Sequence, residues 1–496
     1  MSAKHWSGNL YRAEQVRRGE QQAAAQQSMA MYQLMERAGA AVFQELEQGY
    51  ACYRNVLVCC GGGNNGGDGY VVARLAREAG YQVTLWQMGD AAKLQGDAAL
   101  ARDAWLATGG QILPPAAVIP ASIDVVIDAL LGTGLSGEVR TEGKQLISMI
   151  NQIALPVIAI DIPSGLCADT GKVLGEAVKA RSTVTLIGSK QGLWTAQAAE
   201  YVGLVKFAGL QVAEDFEQIE PPSARLIQVG DVASCLPPRS RSAHKGDHGR
   251  IILAGGDHGM GGAIRMASEA AARTGAGLTA VLTQPDNVLS IVTARPEIMA
   301  TGWQQTDKSV LAQRLKWADV LVLGPGLGQS DWSEALYRQL ADSEKSLVVD
   351  ADGLNLLARS PDYKNNRIIT PHPGEAARLL ACSVQEVEAD RFRAVRALQQ
   401  KYGGVAVLKG AGTLVDDGTQ CWVCAAGNPG MATGGMGDVL SGIIGALLGQ
   451  GLSLAAAAWC GVWIHSTAAD RCAAEGERGM LAGDLFPHIR QLVNPR

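Results

Sequence analysis

The chain has 496 residues, too many for one ordinary domain, so two or three are expected. Its formal charge of −5 excludes the basic footprint of a nucleic-acid binder, and its ten cysteines, spread without framework spacing, exclude a disulfide scaffold and read as thiols of a reducing compartment. Hydrophobic residues at 47% supply ample core, and 60 glycines against five phenylalanines point to the tight loops of α/β proteins that bind nucleotides.

The N-terminus is polar and Gln-rich, without the apolar stretch of an export signal. Residues 1 to about 50 are predicted helical, with Met35, Ala38, Val42 and Leu46 at helix spacing. A buried strand at 56–60 then meets Gly61-Gly62-Gly63-Asn64-Asn65-Gly66-Gly67-Asp68-Gly69, a loop followed by an amphipathic helix to about residue 79. The loop fits neither GxGxxG nor GxxxxGK[ST], and its competing reading is an Asn-Gly turn with an Asp cap. Asn64 and Asn65, whose amides can hold a ligand or a cation, and Asp68 at the helix entrance favour a site. A strand at 82–86 completes a β-α-β unit. Two further strands end in acids: Asp128, leading into Leu131-Gly132-Thr133-Gly134-Leu135-Ser136-Gly137-Glu138, and Asp161, leading into Ile162-Pro163-Ser164-Gly165. In a doubly wound parallel sheet the loops after the strands share one edge, so these acids and glycines should converge. Another strand, at 183–187, ends near Lys190.

The pattern stops around Pro221-Pro222 and restarts, which places a boundary at 218–228 and domains at 1–220 and 226–496. The second domain opens with His244-Lys245-Gly246-Asp247-His248-Gly249, a strand at 251–254, Gly255-Gly256 and a small-residue helix from about 262. Strands follow at 278–282, 320–323, 347–350 and 367–369. Their loops include Gly324-Pro325-Gly326-Leu327-Gly328, Asp350-Ala351-Asp352-Gly353 and Thr370-Pro371-His372-Pro373-Gly374-Glu375. A strand at 405–408 delivers Lys409-Gly410-Ala411-Gly412-Thr413, and Asp416-Asp417-Gly418-Thr419 turns a hairpin. His244, His248 and His258 lack metal-site spacing, whereas His372, held between two prolines, is the better site candidate. Cys421 and Cys424 form a lone CxxC with no second pair and no nearby histidine, so zinc is not expected. Residues 439–464 carry no charge, yet Gly442, Gly445, Gly449 and Gly451 and the break at 449–453 divide them into two core helices rather than a membrane span.

The chemistry reads most directly between Asn428 and Leu448. Gly434, Gly435 and Gly437 let the backbone turn N–H groups inward, and the apolar run behind them starts a helix whose positive end suits phosphate. Asp438 is an anion in that end, with the work of taking a proton from a hydroxyl; the competing reading is a helix N-cap.

Together these residues resemble the bifunctional NAD(P)H-hydrate repair enzymes, an epimerase fused to a dehydratase, over almost the whole chain. The resemblance implies an α/β fold of two domains, an N-terminal Rossmann-like doubly wound sheet and a C-terminal ribokinase-like domain. In the ribokinase-like superfamily a Gly-x-Gly-Asp loop holds nucleotide phosphates and its Asp is the catalytic base. Met436 stands between the glycines where many sugar kinases have Thr or Ala, which loses a side-chain hydrogen bond and leaves the backbone cradle.

The implied activity is repair of NADH and NADPH that have taken up water at C6 of the nicotinamide ring, as R and S hydrates (NADHX and NADPHX). The first domain would interconvert the epimers. The second would phosphorylate the S hydroxyl from ADP and expel phosphate, releasing AMP. Asp161 would be the acid/base of epimerisation, with Asn64, Asn65, Gly66, Gly67, Asp68, Gly132, Thr133, Gly134, Leu135, Ser136, Gly137 and Glu138 around the hydrate. Potassium would sit on Asn65, Asp128 and Ser164. In the second domain Asp438 would be the base, Ala263, Gly326 and His372 would face the hydrate, and Lys409, Gly410, Ala411, Gly412, Thr413 and Gly437 would bind ADP. Mg²⁺ is expected with the nucleotide, although no carboxylate cage is visible for it. A cytoplasmic homo-oligomer without nucleic-acid or membrane partners is the expected setting. Two other readings stay open: a ribokinase-type small-molecule kinase fused to a Rossmann-like domain, and a non-catalytic nucleotide sensor.

Overall fold

The structure, a computed structural model, describes residues 6–495. Contacts divide the chain into two compact units, Met1–Arg225 and Leu226–Arg496.

In the first unit the strands are β1 (Asn9–Tyr11), β2 (Asn55–Cys60), β3 (Gln82–Gln87), β4 (Val125–Ala129), β5 (Val157–Ile160), β6 (Ser182–Leu186), β7 (Ser189–Lys190), β8 (Leu204–Ala208) and β9 (Ala224–Leu226). Six of them form a sheet in the order β3-β2-β4-β5-β6-β8, parallel throughout. Parallel strands are covered on both faces, which is why they read as unbroken apolar runs. Val56, Val58 and Cys60 pack with Val42 and Leu46 of the helix Met31–Gly49, while Leu57 and Cys59 pack with Leu146, Ile147 and Ile150 of the helix Thr141–Gln152. The chain leaves β2 toward β3 on one side and β4 lies on the other. The crevice at this reversal is bounded by the loops after β2 and β4.

Residues 1–50, expected to be helical, contain a strand within their described part. Leu10 and Tyr11 of β1 pair in parallel with Ser189 and Lys190, and Asn9 and Leu10 pair antiparallel with Arg225 and Ala224. Helices Ala13–Gln26 and Met31–Gly49 follow. The pairing of Ala224 and Arg225 with β1 ties the segment after Pro221-Pro222 to the first unit.

The second unit contains β10 (Arg250–Ala254), β11 (Leu278–Thr283), β12 (Met299–Gly302), β13 (Val320–Leu323), β14 (Ser346–Val349), β15 (Arg367–Ile369), β16 (Val405–Leu408), β17 (Thr413–Asp416) and β18 (Cys421–Cys424). Their order is β12-β11-β10-β13-β14-β15-β16-β17-β18. β12 through β16 run parallel, and β17 and β18 add an antiparallel hairpin. Cys421 and Cys424 lie three residues apart in one strand, so the alternation of side chains turns them to opposite faces.

The uncharged stretch forms two helices, Met436–Gly449 and Leu454–Ala473, separated where Ser453 accepts the Ala456 N–H at 3.2 Å. No helix among the described residues is long and apolar enough to cross a membrane. Met436–Gly449 lies against the helix Gly261–Thr274 so closely that a Cβ on Gly442 would stand 2.0 Å from the Ala267 carbonyl oxygen. An apolar helix buried on all sides therefore needs its glycines for approach rather than for flexibility.

Candidate active sites

A cavity of about 750 Å³ opens at the carboxyl edge of the first sheet. The helix after β2 begins at Asn64, with Gly63 as its N-cap, so Asn65, Gly66, Gly67 and Asp68 are helical residues and not a loop. Packing explains the difference: a Cβ on Gly66 would lie 2.0 Å from the Gly61 carbonyl oxygen, and only a glycine-rich first turn fits so near. Asn64, Asn65, Asp68, Gly132, Thr133, Gly134, Leu135, Ser136, Glu138 and Asp161 all line the cavity; Gly66, Gly67 and Gly137 do not. Glu138 is ion-paired with Lys144 at 2.8 Å.

Asp161 follows β5 with φ of +67°, a conformation that L residues adopt only where the surroundings enforce it. Here the Asp161 N–H donates to Val184 O at 2.8 Å, and Oδ1 accepts the Leu186 N–H at 3.0 Å. Oδ1 also takes the ammonium of Lys190, which is buried and donates to Leu186 O at 2.9 Å. Burial, followed by Asp161 and Glu20, holds the Asp68 carboxyl well above the usual range against the pull of Lys190. Glu20, from the helix Ala13–Gln26, also lines the cavity, and burial pushes its carboxyl up to about 7.

Below the β4 loop, Asp128 is fully buried. Its Oδ2 accepts the Ser164 N–H at 2.8 Å and its Oδ1 the Ser164 hydroxyl at 2.5 Å, while the Ser164 oxygen accepts the Leu131 N–H at 2.8 Å. Burial raises Asp128 to about 6, and only hydrogen bonds from Ser164 and Leu130 oppose it, with no cation taking part. Asn65 lies beside Gly132, where a Cβ would come within 3.1 Å of its own Cβ, and its Nδ2 is buried without a partner.

In the second unit the acids and lysine sit at the ends of parallel strands. Asp350 follows β14 and Lys409 follows β16; their side chains meet at 2.8 Å, with Glu375 Oε2 at 3.8 Å from the ammonium. Ser441 donates to the other Asp350 oxygen at 2.6 Å. Burial pushes Asp350 up, but Lys409 and Ser441 outweigh it and the net direction is down. For Lys409 burial acts downward, and Asp350 and Glu375 carry it up.

Asp438 is not the N-cap of its helix. Gly435 is, with φ of +91°, and it alone of the three motif glycines takes a positive φ. Asp438 falls in the first turn, half-buried, where burial, then Asp350, push its carboxyl up to about 7 while Lys409 opposes. Gly437 makes room for its neighbours: a Cβ there would stand 3.3 Å from the Lys409 ammonium and 3.5 Å from Asp350 Oδ2. Lys409 thus meets Asp350 beside Gly437, while Gly410, at φ of +136°, is backed by the Arg391 guanidinium. Thr413 donates its hydroxyl to Gly410 O at 3.0 Å.

Gly326, at φ +57°, leaves only 3.0 Å between a would-be Cβ and that of Ala263. Two residues on, the Gly328 N–H donates to Asp352 Oδ2 at 2.9 Å, joining the β13 loop to the β14 loop. His372 caps the helix Pro373–Leu380: its Nδ1 accepts the Gly374 N–H at 3.0 Å and Glu375 Oε2 accepts the His372 N–H at 2.7 Å. Burial first and Lys409 second lower its pKa, so a neutral ring carries its proton on Nε2. Asp350, Glu375, Ser441, Lys190 and Glu20 were not expected as site residues. Asp350 shares the strand-terminal signal of Asp128 and Asp161, and Glu375 lies in a quoted loop; nothing local marks the others. Among the described residues no group of three or more His, Cys, Asp or Glu is arranged to hold a metal.

Two parallel-sheet units, each gathering acids, a lysine and glycines at its carboxyl edge, define a two-domain α/β enzyme with a ribokinase-like second half. A ribokinase-like superfamily protein from Enterococcus faecalis matches at 28% identity and a TM-score of 0.52, over 55% of this chain and 95% of that one. The family described as YjeF-related protein N-terminus matches residues 31–192, and the NAD(P)H-hydrate dehydratase family matches residues 251–491. The bifunctional NAD(P)H-hydrate repair enzyme Nnr of Vibrio cholerae is 51% identical over 98% of both chains, and that of Escherichia coli 49% over 98% of this chain and 94% of its own. The chain belongs to the bifunctional NAD(P)H-hydrate repair enzymes.

Proposed function

We propose that this chain repairs hydrated NADH and NADPH, its first domain (1–220) interconverting the R and S hydrates and its second (226–496) dehydrating the S form with ADP to give AMP and phosphate. The observation that carries the reading is the placement of Asp438 in the first turn of a helix near Lys409 and Asp350, where burial pushes its carboxyl up to about 7. A base poised near neutrality takes the proton of the C6 hydroxyl as its oxygen attacks the terminal phosphorus of ADP. Backbone N–H groups at Gly435–Gly437 and the helix end receive the charge of the transferring phosphoryl group. Lys409, Gly410, Ala411, Gly412, Thr413 and Gly437 hold ADP, and Ala263, Gly326 and His372 face the hydrate. The ring nitrogen then expels the phosphate from C6, and loss of a C5 proton restores the dihydropyridine. Mg²⁺, arriving with the nucleotide, would neutralise phosphate charge.

In the first domain Asp161 serves as acid/base at C6. A buried Asp128 carboxylate with no cation taking part, next to the Ser164 hydroxyl and an orphaned Asn65 amide, suits an oxygen-seeking monovalent cation. Asn65, Asp128 and Ser164 would hold potassium once the Asn65 amide presents its oxygen. All ten cysteines are free, which supports a reducing, cytoplasmic setting.

The test is stoichiometric. Purified protein given a hydrate mixture and ADP should restore NADH absorbance with one AMP and one phosphate per NADH. Accumulation of a stable phosphorylated product would instead mark a kinase.

A further inference from the structure

We propose that Glu20 is a second catalytic residue of epimerisation: it gives a proton to the departing C6 hydroxyl, while Asp161, fixed by the positioning residue Lys190, takes one from the water that adds to the opposite face. The inference rests on the epimerase reading of the first cavity and deepens it. Nothing in the matched family segment supplies Glu20, because that segment begins at residue 31.

The helix Ala13–Gln26 puts Ala13, Val16, Arg17 and Glu20 on the cavity, the i, i+3, i+4, i+7 stripe of one face. Its other side is anchored. Arg18 grips Glu220 through two hydrogen bonds of 2.6 Å, and Gly19 lies so close to Phe216 that a Cβ would stand 2.6 Å from the ring. Glu20 is therefore held at the wall rather than swinging in solvent. The charges around it are Lys190 after β6, Asp161 after β5, Arg17 on its own helix and Asp68 on the helix Asn64–Glu78.

The two carboxyl groups are not equivalent. Asp161 Oδ1 is taken by the Lys190 ammonium and the Leu186 N–H, which leaves Oδ2 as the oxygen to accept a proton. Glu20 has no ion-pair partner among the described residues and is brought by burial to about 7, where about half of a carboxyl population still carries its proton at neutral pH. Epimerisation needs both states at once. The Glu20 proton goes to the C6 oxygen, the C6–O bond breaks with its electrons to leave as water, and the N1 lone pair forms the C6=N1 bond. Water then attacks C6 from the other face, the π electrons return to N1, and the extra proton passes to Asp161. The proton returns to Glu20 through cavity water, so no co-reactant is consumed.

The experiment follows equilibration of pure S hydrate by full-length protein without ADP, separating the epimers chromatographically across pH. In either direction the pair must hold one proton, so the wild-type rate should fall as pH rises through about 7. Glu20→Gln should slow turnover by about 10²-fold or more and remove that limb. Glu20→Asp, one methylene shorter, should keep the limb at an intermediate rate and carries the test if the Gln variant does not fold. A Gln variant with the wild-type rate, or a slow one that keeps the limb, overturns the role of Glu20. Asp161→Asn run alongside separates the two failures: if it is inactive while Glu20→Gln is normal, only this inference falls; if both are normal, the epimerase reading of the cavity falls too.

Discussion

Replacing Asp350 by Asn should move the pH dependence of dehydration toward acid. In the wild type Asp438 sits at about 7, raised by burial first and by Asp350 next. On the proposed mechanism the deprotonated form of Asp438 is the base, so activity should rise with pH through that value: about a tenth of the plateau at one pH unit below it and about nine-tenths at one unit above. Asp350→Asn removes the neighbouring negative charge. It also frees Lys409 from its 2.8 Å partner, so the ammonium acts more fully on Asp438, and both changes lower the pKa. A nearby charge moves a carboxyl by about one to two units, or ~1.4–2.7 kcal/mol. The limb should therefore shift to about 5–6, and the variant near pH 6 should keep at least about half its own plateau. The assay is restoration of NADH absorbance from pure S hydrate at saturating ADP, with the profile normalised to each protein's plateau. An unmoved limb, or one moved toward alkaline pH, would refute the electrostatic argument. Asp438→Asn should remove the limb and lower the plateau by about 10²-fold or more.

Three further outcomes follow from the geometry. Asp161→Asn should slow epimerisation by about 10²–10⁴-fold while dehydration of pure S hydrate continues, as paired assays on one preparation will show. Lys409→Met leaves the buried Asp350 carboxylate with Ser441 but no counter-charge, so urea unfolding should report a loss of about 3–5 kcal/mol, much of it recovered when Asp350→Asn is added. Asp128→Asn should abolish any difference in epimerisation rate between potassium and sodium buffers; an unchanged potassium response would remove Asp128 from the cation site.

The parallel edges were legible because an apolar run closed by an acid is a local pattern: Asp128 and Asp161 could be placed from the strand before each and the topology between them. The start of the helix at Asn64 was not. Three glycines in six residues argue for a loop at about 1 kcal/mol each, and only the Gly61 carbonyl packed against Gly66 makes them the residues a helix must have there. Lys409 beside glycines suggested a phosphate ligand, but its partner Asp350 lies 59 residues earlier, and no spacing rule joins them. Glu20 was invisible for the same reason, since an amphipathic stripe does not say that its polar end meets a cavity. β1 (Asn-Leu-Tyr) and β12 (Met-Ala-Thr-Gly) are no shorter than strands that were placed, but neither carries the run of β-branched and apolar residues that marks a buried strand.

The pairing of β1 bears on how the first unit is made. Its three residues precede every other element of the unit, yet their partners are Ser189-Lys190 and Ala224-Arg225, so β1 has no hydrogen-bonded neighbour until most of the unit has left the ribosome. Contacts of such separation form late, after the central β-α-β elements have already collapsed. Because the helix Ala13–Gln26 leads directly out of β1, the wall that carries Glu20 closes last. A nascent chain halted before residue 189 would then hold the central strands and an unfinished cavity, a state that protease sensitivity within residues 12–30 would reveal.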